Sequence, residues 1–436
     1  MRSSLAETTT ATLARPVVLR RPLTLATVML LALVLIGYGL GSYALFDNNE
    51  GLYATVAEDM LANGHWLMPH LNGVAYPEKP PLFYYALASS FALFGVGEWS
   101  ARVVSALSAA LCVVFVFRFT RRQSGSTTVG GFAALVTVSS VGLVMLARTV
   151  MPDALLLLCF TVALLGSFDA WTRRSERGYG LSLAALALAV LTKGLLAVVL
   201  FGLVWAIYVA FTWWRSRAEA LAQLRFLLAP VPVLVFAVIA LPWHVLAARE
   251  YDGFVWMYFW NEHVLRFLGQ RIPNDTYSGS FLYYLPRIAL LFFPWIVFMP
   301  RAACTSRAPQ HAALDRFCAT AGMVVFAFFS ISSAKANYYI ALALPFFAVW
   351  LAVRLATTAR DHDAAQAPAT PRLIELWVLA LLTLVMIVAA LWAVSREVEW
   401  QVVVARGDWH NLVMGGTLLL AAVIMTVLVI RSASSL

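Results

Sequence analysis

Residues 46–86 read FDNNEGLYATVAEDMLANGHWLMPHLNGVAYPEKPPLFYYA, directly behind an apolar run over residues 23–45. The run is long enough to cross roughly 30 Å of hydrocarbon. The stretch after it gathers Asp47, Glu50, Glu58, Asp59, Glu78 and Lys79 in a chain that is only 12% charged. A plain connection between two spans needs no such density of charge, so this segment is the first candidate for chemistry.

Working outward, 62% of the 436 residues are hydrophobic and the mean hydropathy is +0.81. A soluble domain has nowhere to bury that much apolar surface. The composition predicts an all-α integral membrane protein, because only helices satisfy their own backbone within lipid when the apolar runs are this long. Spans are expected near 23–45, 100–119, 126–147, 154–172, 179–192, 195–214, 226–247, 283–300, 315–332, 338–356, 373–394 and 411–430. This makes about twelve crossings with both ends inside. The division follows: a basic tail over 1–22, a membrane region over 23–356 with outer loops 46–99 and 248–282, an inner linker over 357–372, and a closing pair of spans over 373–436.

Arginine supports this orientation. Arg118, Arg121, Arg122, Arg173, Arg174, Arg177, Arg215, Arg217, Arg225, Arg301, Arg307, Arg316, Arg354, Arg360 and Arg372 all fall in loops assigned inside, as the positive-inside rule requires. The net charge of +9 therefore points to membrane lipids and not to nucleic acid. Cys112, Cys159, Cys304 and Cys318 lie in apolar spans or inner loops, and no pair has metal-ligand spacing. The first apolar run has no small-residue cleavage site at a suitable distance and reads as a retained span.

Lysine behaves differently. The chain has three, Lys79, Lys193 and Lys335, all on the opposite, outward side. Three residual lysines in an arginine-biased chain would explain this, as would a cationic cluster suited to an anionic ligand. Four outward segments carry polar and aromatic residues. In the first, 50–62 reads as an interfacial helix and 82–94 as a second, separated by Pro77, Pro80 and Pro81. Asp153 in the second stands at the start of a span, where an N-cap is the plain reading. The third holds Glu262, His263 and Arg266, with the glutamate and arginine on one helical face. The fourth is the short run SSAKANYY around Lys335.

A transporter should carry ionisable groups mid-span. Here the spans are nearly free of them and the charges collect at one face, which favours an enzyme acting on a substrate with a lipid tail. A transporter or flippase of a lipid-linked substrate is the rival reading, and a structural membrane subunit a third.

The ordered motifs carry a resemblance. Asn49-Glu50, Tyr53-Ala54, Gly64-His65-Trp66 with Pro69, and Glu78 to Leu82 resemble the first outer loop of bacterial glycosyltransferases of the GT-C fold. The similar branch includes lipid A aminoarabinose transferases and relatives of protein O-mannosyltransferases. Arg102, Arg148 with Asp153, Thr192-Lys193-Gly194, Glu262-His263 with Arg266-Phe267, and Ser333 to Tyr339 extend the likeness in order. The resemblance implies a sugar donor carried on a polyprenyl phosphate at the outer face of the inner membrane, and a lipid or other cell-envelope acceptor.

It also implies that an acidic residue of the first loop activates the acceptor hydroxyl. Asn49 stands where the acidic pair usually has aspartate, and an amide is no base. The role is therefore expected at Glu50 first and Asp47 second. Lys79, Arg266 and Lys335 are expected to bind the donor phosphate. Glu78 and His263 are the residues that would hold a divalent metal ion, which some relatives use; otherwise no cofactor is expected. Tyr53, Tyr84, Asp153, Lys193 and Glu262 complete the candidate site. Leu52 replaces the arginine of the aminoarabinose branch, and only the loop 395–410 stands where many relatives carry an outer domain. A small or lipid acceptor is therefore expected over a folded one.

Overall fold

The computed structural model describes residues 24–45, 50–274, 277–304 and 309–358. Asp47, the 1–22 tail, residues 359–372 of the linker and the spans at 373–394 and 411–430 lie outside the described residues.

Helices dominate, as the composition requires. Helix α1 (Leu25–Ala32) begins at Thr24, whose hydroxyl accepts from the Thr27 amide, and runs on into a π-helical turn at Leu33–Gly37. The first outer segment holds α2 (Leu52–Asn63), a two-stranded hairpin of β1 (His70–Leu71) and β2 (Val74–Ala75), and α3 (Leu82–Phe94). Both short helices fall where their mixed apolar and polar spacing predicts them. Next come α4 (Glu98–Ser124), α5 (Thr127–Ser139), α6 (Val141–Ala147), α7 (Pro152–Thr172) and α8 (Glu176–Lys193). They are followed by α9 (Leu196–Trp213), α10 (Arg217–Leu227) and α11 (Pro230–Glu250). The starts of α5, α8 and α10 are each capped by a serine hydroxyl, from Ser126, Ser175 and Ser216, which satisfies one free amide at each start.

Five described helices are long and apolar enough to cross a membrane, or seven when two bent pairs count as spans. The expected span at 126–147 is the pair α5 and α6, bent by 63° at Ser140. That at 283–300 breaks by 104° between Phe281–Leu291 and Trp295–Cys304, where Pro294 has no amide to continue the helix. Three further apolar helices, Leu25–Gly37, Leu82–Phe94 and Tyr339–Leu355, are shorter.

Helix α7 packs along both α4 and α8. Gly166 permits the α7–α8 approach: a Cβ there would lie 2.7 Å from the Ser182 hydroxyl, so only a hydrogen fits, as at close membrane-helix crossings. Helix α11 shows the opposite face. Val231, Leu234, Val238, Leu241 and Val245 recur at helical spacing and are 47–63% exposed. An apolar stripe of that length suits lipid or another apolar helix.

Candidate functional site

The four outward segments meet. In the first, the turn around Pro77, Pro80 and Pro81 delivers Glu78 and Lys79 toward the π-type helix Val255–Leu265 of the third. Glu262 is buried there and organises three cations. Its Oε2 accepts from Lys79 Nζ at 3.2 Å and from Arg266 Nη1 at 2.7 Å, while Arg271 Nε donates to Oε1. Arg271 also reaches Glu78 Oε1 at 2.8 Å. Lys79, Arg266 and Arg271 thus face two carboxylates, Glu78 and Glu262, leaving one positive charge over. Burial alone would raise the pKa of Glu262, but Lys79, Arg266 and Arg271 together hold it down to about 2. Burial pulls the Lys79 ammonium below the usual lysine range, against the opposing pull of Glu262.

Arg266 Nη2 donates to the Tyr339 hydroxyl at 3.3 Å, tying in the fourth segment. The second joins through Asp153, at the first turn of α7, where Lys193 Nζ lies 2.5 Å from its Oδ1. Lys193 also sits over the Tyr338 and Tyr339 rings, 5.2 and 4.8 Å from their centroids. Asp153, Lys193, Tyr338 and Tyr339 line a cleft floored by Leu146, Leu156, Leu196, Phe329 and Leu342. Asp153 Oδ2 is buried there with no hydrogen-bond partner among the described residues. Gly194 explains the Thr192-Lys193-Gly194 motif. Its φ is +92°, and a Cβ would fall 2.3 Å from His263 Nε2, so any side chain would push the third segment away.

Residues 78–238 match the family described as dolichyl-phosphate-mannose-protein mannosyltransferase. An undecaprenyl phosphate-alpha-4-amino-4-deoxy-L-arabinose arabinosyl transferase of Pseudomonas fluorescens is 30% identical over 346 residues, which are 77% of this chain and 60% of that protein. That of Shewanella sediminis is 32% identical over 322 residues, 72% of this chain and 56% of that one. The crystal structure of ArnT from Cupriavidus metallidurans bound to undecaprenyl phosphate superposes with a TM-score of 0.77 at 26% identity, covering 94% of this chain and 73% of that one. The chain has the GT-C fold of ArnT and is similar to the aminoarabinose transferases. It is a multi-pass membrane protein, and it spans about three fifths of the length of the curated relatives it matches.

Within this GT-C fold several expected site residues have other work. Glu50 is fully buried. Its Oε1 accepts from Arg102 Nε at 2.9 Å and from the Val150 amide at 2.8 Å, and its Oε2 from Arg102 Nη2 at 2.7 Å. Arg102 spends its remaining N–H groups on the carbonyls of Leu40, Tyr43 and Ala44. Glu50, the expected base, is committed in this structure to Arg102 and the Val150 amide. It pins the end of the first span region to α4.

Lys335, expected at the phosphate, is held at a helix end in this structure. Its ammonium donates to the carbonyls of Phe329 and Ser330 at 2.9 and 2.8 Å, capping the helix Ala312–Ile331, where the dipole favours a cation. Lys335→Ala is expected to lower stability by about 1–2 kcal/mol while leaving affinity for undecaprenyl phosphate unchanged. Thermal unfolding and native mass spectrometry of the detergent-solubilised protein would read both.

The expected metal pair does not fit a cation either. His263 Nδ1 donates to the Tyr258 carbonyl at 2.6 Å and its Nε2 accepts from the Leu195 amide at 2.9 Å. Both nitrogens are committed, and burial holds the ring below the usual histidine pKa. Glu78 is taken by Arg271 and by the Tyr76 hydroxyl at 3.0 Å. Tyr53 packs edge-on against Phe83 and tilted against Tyr84, and the buried Tyr84 hydroxyl makes no hydrogen bond among the described residues. Arg271, Tyr339 and Arg102 are site or support residues whose roles depend on tertiary contacts that spacing does not reveal.

Proposed function

We propose that the protein is a membrane glycosyltransferase that moves a sugar from a polyprenyl-phosphate donor to an acceptor hydroxyl at the outer face of the inner membrane. The observation that carries this reading is the cation pair Lys79 and Arg266, held side by side by the single carboxylate oxygen of Glu262. A phosphate leaving group needs such charge-assisted donors. The relatives named above use undecaprenyl-phosphate-linked sugar, and the superposable ArnT crystal structure is titled as bound to undecaprenyl phosphate.

With Glu50 enclosed, the acid–base role falls to Asp153. Its Oδ2, which has no hydrogen-bond partner among the described residues, takes the proton of the acceptor hydroxyl, whose oxygen then bonds to the anomeric carbon. The bond from that carbon to the phosphate oxygen breaks, and the polyprenyl phosphate leaves with its charge against Lys79 and Arg266. Lys193 holds Asp153 in place through its Oδ1. Asp47 is the first-loop carboxylate that would share this task. Charges concentrated at one end of apolar helices favour this over a transport path through the bilayer.

The test separates binding from chemistry. Asp153→Asn should keep undecaprenyl phosphate binding by native mass spectrometry yet lose sugar transfer by about 100-fold or more. Transfer is read by lipid and glycan mass spectrometry of cells with and without the gene, which also names the sugar and acceptor. A variant that transfers sugar at the normal rate would remove Asp153 from the reaction.

A further inference from the structure

We propose that Asp59, His65 and His70 form a site for a divalent transition-metal ion of the zinc type, on the first outer segment and outside the phosphate network. One ligand atom from each residue falls within a group no wider than 4.8 Å, and all three side chains are half-buried. The chemistry of the set suits such a cation: two imidazoles and a carboxylate, the ligand types that zinc takes, with water as its usual fourth ligand.

The local structure prepares each ligand. Asp59 sits on the last turns of α2, where Asn63 Nδ2 donates to its Oδ1 at 2.7 Å, leaving Oδ2 turned to His65 Nδ1 at 2.7 Å. The chain then turns at Gly64, whose φ is +74°, and His65 stands next. His70 lies on β1 of the hairpin, and its Nδ1 is 2.9 Å from the Met68 carbonyl. A carbonyl only accepts, so the proton is on Nδ1 and the lone pair on Nε2, the arrangement that outer partners impose on metal-binding histidines. Nε2 makes no hydrogen bond among the described residues.

A hydrogen-bonded Asp59–His65 pair would account for His65 alone. It does not account for His70, whose ring is stacked on that of His65 with centroids 3.8 Å apart and planes 24° apart. A shared cation lies in the plane of each ligating ring, so binding turns the two rings out of the stack until each Nε2 points at the ion. Zinc bonds of about 2.1 Å put tetrahedral ligand atoms about 3.4 Å apart, a contraction that side-chain torsions of half-buried residues can supply.

The site is joined to the charged network by short, anchored chain. The Leu67 carbonyl accepts from Trp243 Nε1 at 2.9 Å, that of Trp66 accepts from the Tyr85 hydroxyl at 2.6 Å, and the Tyr76 amide donates to Pro69 at 2.7 Å. A bound ion therefore clamps α2 to the hairpin that leads to Glu78 and Lys79, stabilising the loop without entering the reaction.

The experiment uses the full chain in detergent, stripped with chelator and titrated with Zn2+ alone, followed by calorimetry and by bound-metal analysis. The wild type should take up one equivalent and melt at a higher temperature with zinc than without. His65→Asn and His70→Asn each keep a donor near Nδ1 and remove Nε2. Each should weaken binding at least about 100-fold, beyond what losing an outer partner does, and lose the zinc-dependent rise in melting temperature. Glu78→Gln and His263→Asn should retain the equivalent. No uptake at micromolar zinc by the wild type, or unchanged uptake by both His65→Asn and His70→Asn, would overturn the site. So would uptake lost only in Glu78→Gln.

Discussion

Glu50→Gln is expected to destabilise the protein before it affects any chemistry. Both Glu50 oxygens are engaged, and its partner Arg102 is equally buried, with side-chain exposures of 1% and 0%. Removing one member of a buried ion pair leaves the other uncompensated, at a cost of about 3–5 kcal/mol. Whole domains are commonly stable by only about 5–15 kcal/mol, so the loss should appear as a lower melting temperature and a poorer yield. The amide can still accept from Arg102 Nε and the Val150 amide, but it sets an NH2 against Arg102 Nη2, donor against donor. The double substitution Glu50→Gln with Arg102→Gln removes both charges and should recover part of the loss. Thermal unfolding in detergent checks all three variants. If Glu50→Gln melts like the wild type and lacks only sugar transfer, the carboxylate belongs to the reaction after all.

That case marks where sequence reading stops. Membrane class, the two short helices of the first outer segment and the segments that hold the site follow from composition and spacing, because apolar length and mixed polarity are local properties. The isolation of Lys79 and Lys193 on the outer side was equally readable: a lone buried-side cation needs a partner, and both have one. For Lys335 the same signal does not tell a helix end from a ligand, because the carbonyl end of a helix attracts an ammonium as a phosphate does. Whether a carboxylate is open or enclosed is not local. Glu50 and Arg102 lie on different elements, as do Glu78 and Arg271, and only packing brings them together. The bends of 63° and 104° escaped for a related reason: hydropathy registers that residues are apolar, not the direction in which their helix runs.

Lys79→Ala and Arg266→Ala are each expected to weaken binding of undecaprenyl phosphate without unfolding the protein. A hydrogen bond to a charged group is worth about 1.5–3 kcal/mol, which is about a 10- to 150-fold rise in Kd for each residue. The fold should persist because Glu262 keeps two of its three cations in either variant. The two effects should not add. Both residues bond to Glu262 Oε2, so losing one frees the other to move, and the double variant should fall short of the product of the singles. The lysine also gives the site a pH signature. Burial lowers its pKa, so it loses its proton, and with it the phosphate, at a lower pH than an exposed lysine would. Wild-type affinity should therefore decline on the alkaline side, whereas Lys79→Arg, which stays charged, should bind with a flatter profile. Native mass spectrometry or intrinsic fluorescence titration against undecaprenyl phosphate measures each Kd. An unchanged Kd in both alanine variants would move the phosphate site elsewhere on the outer face.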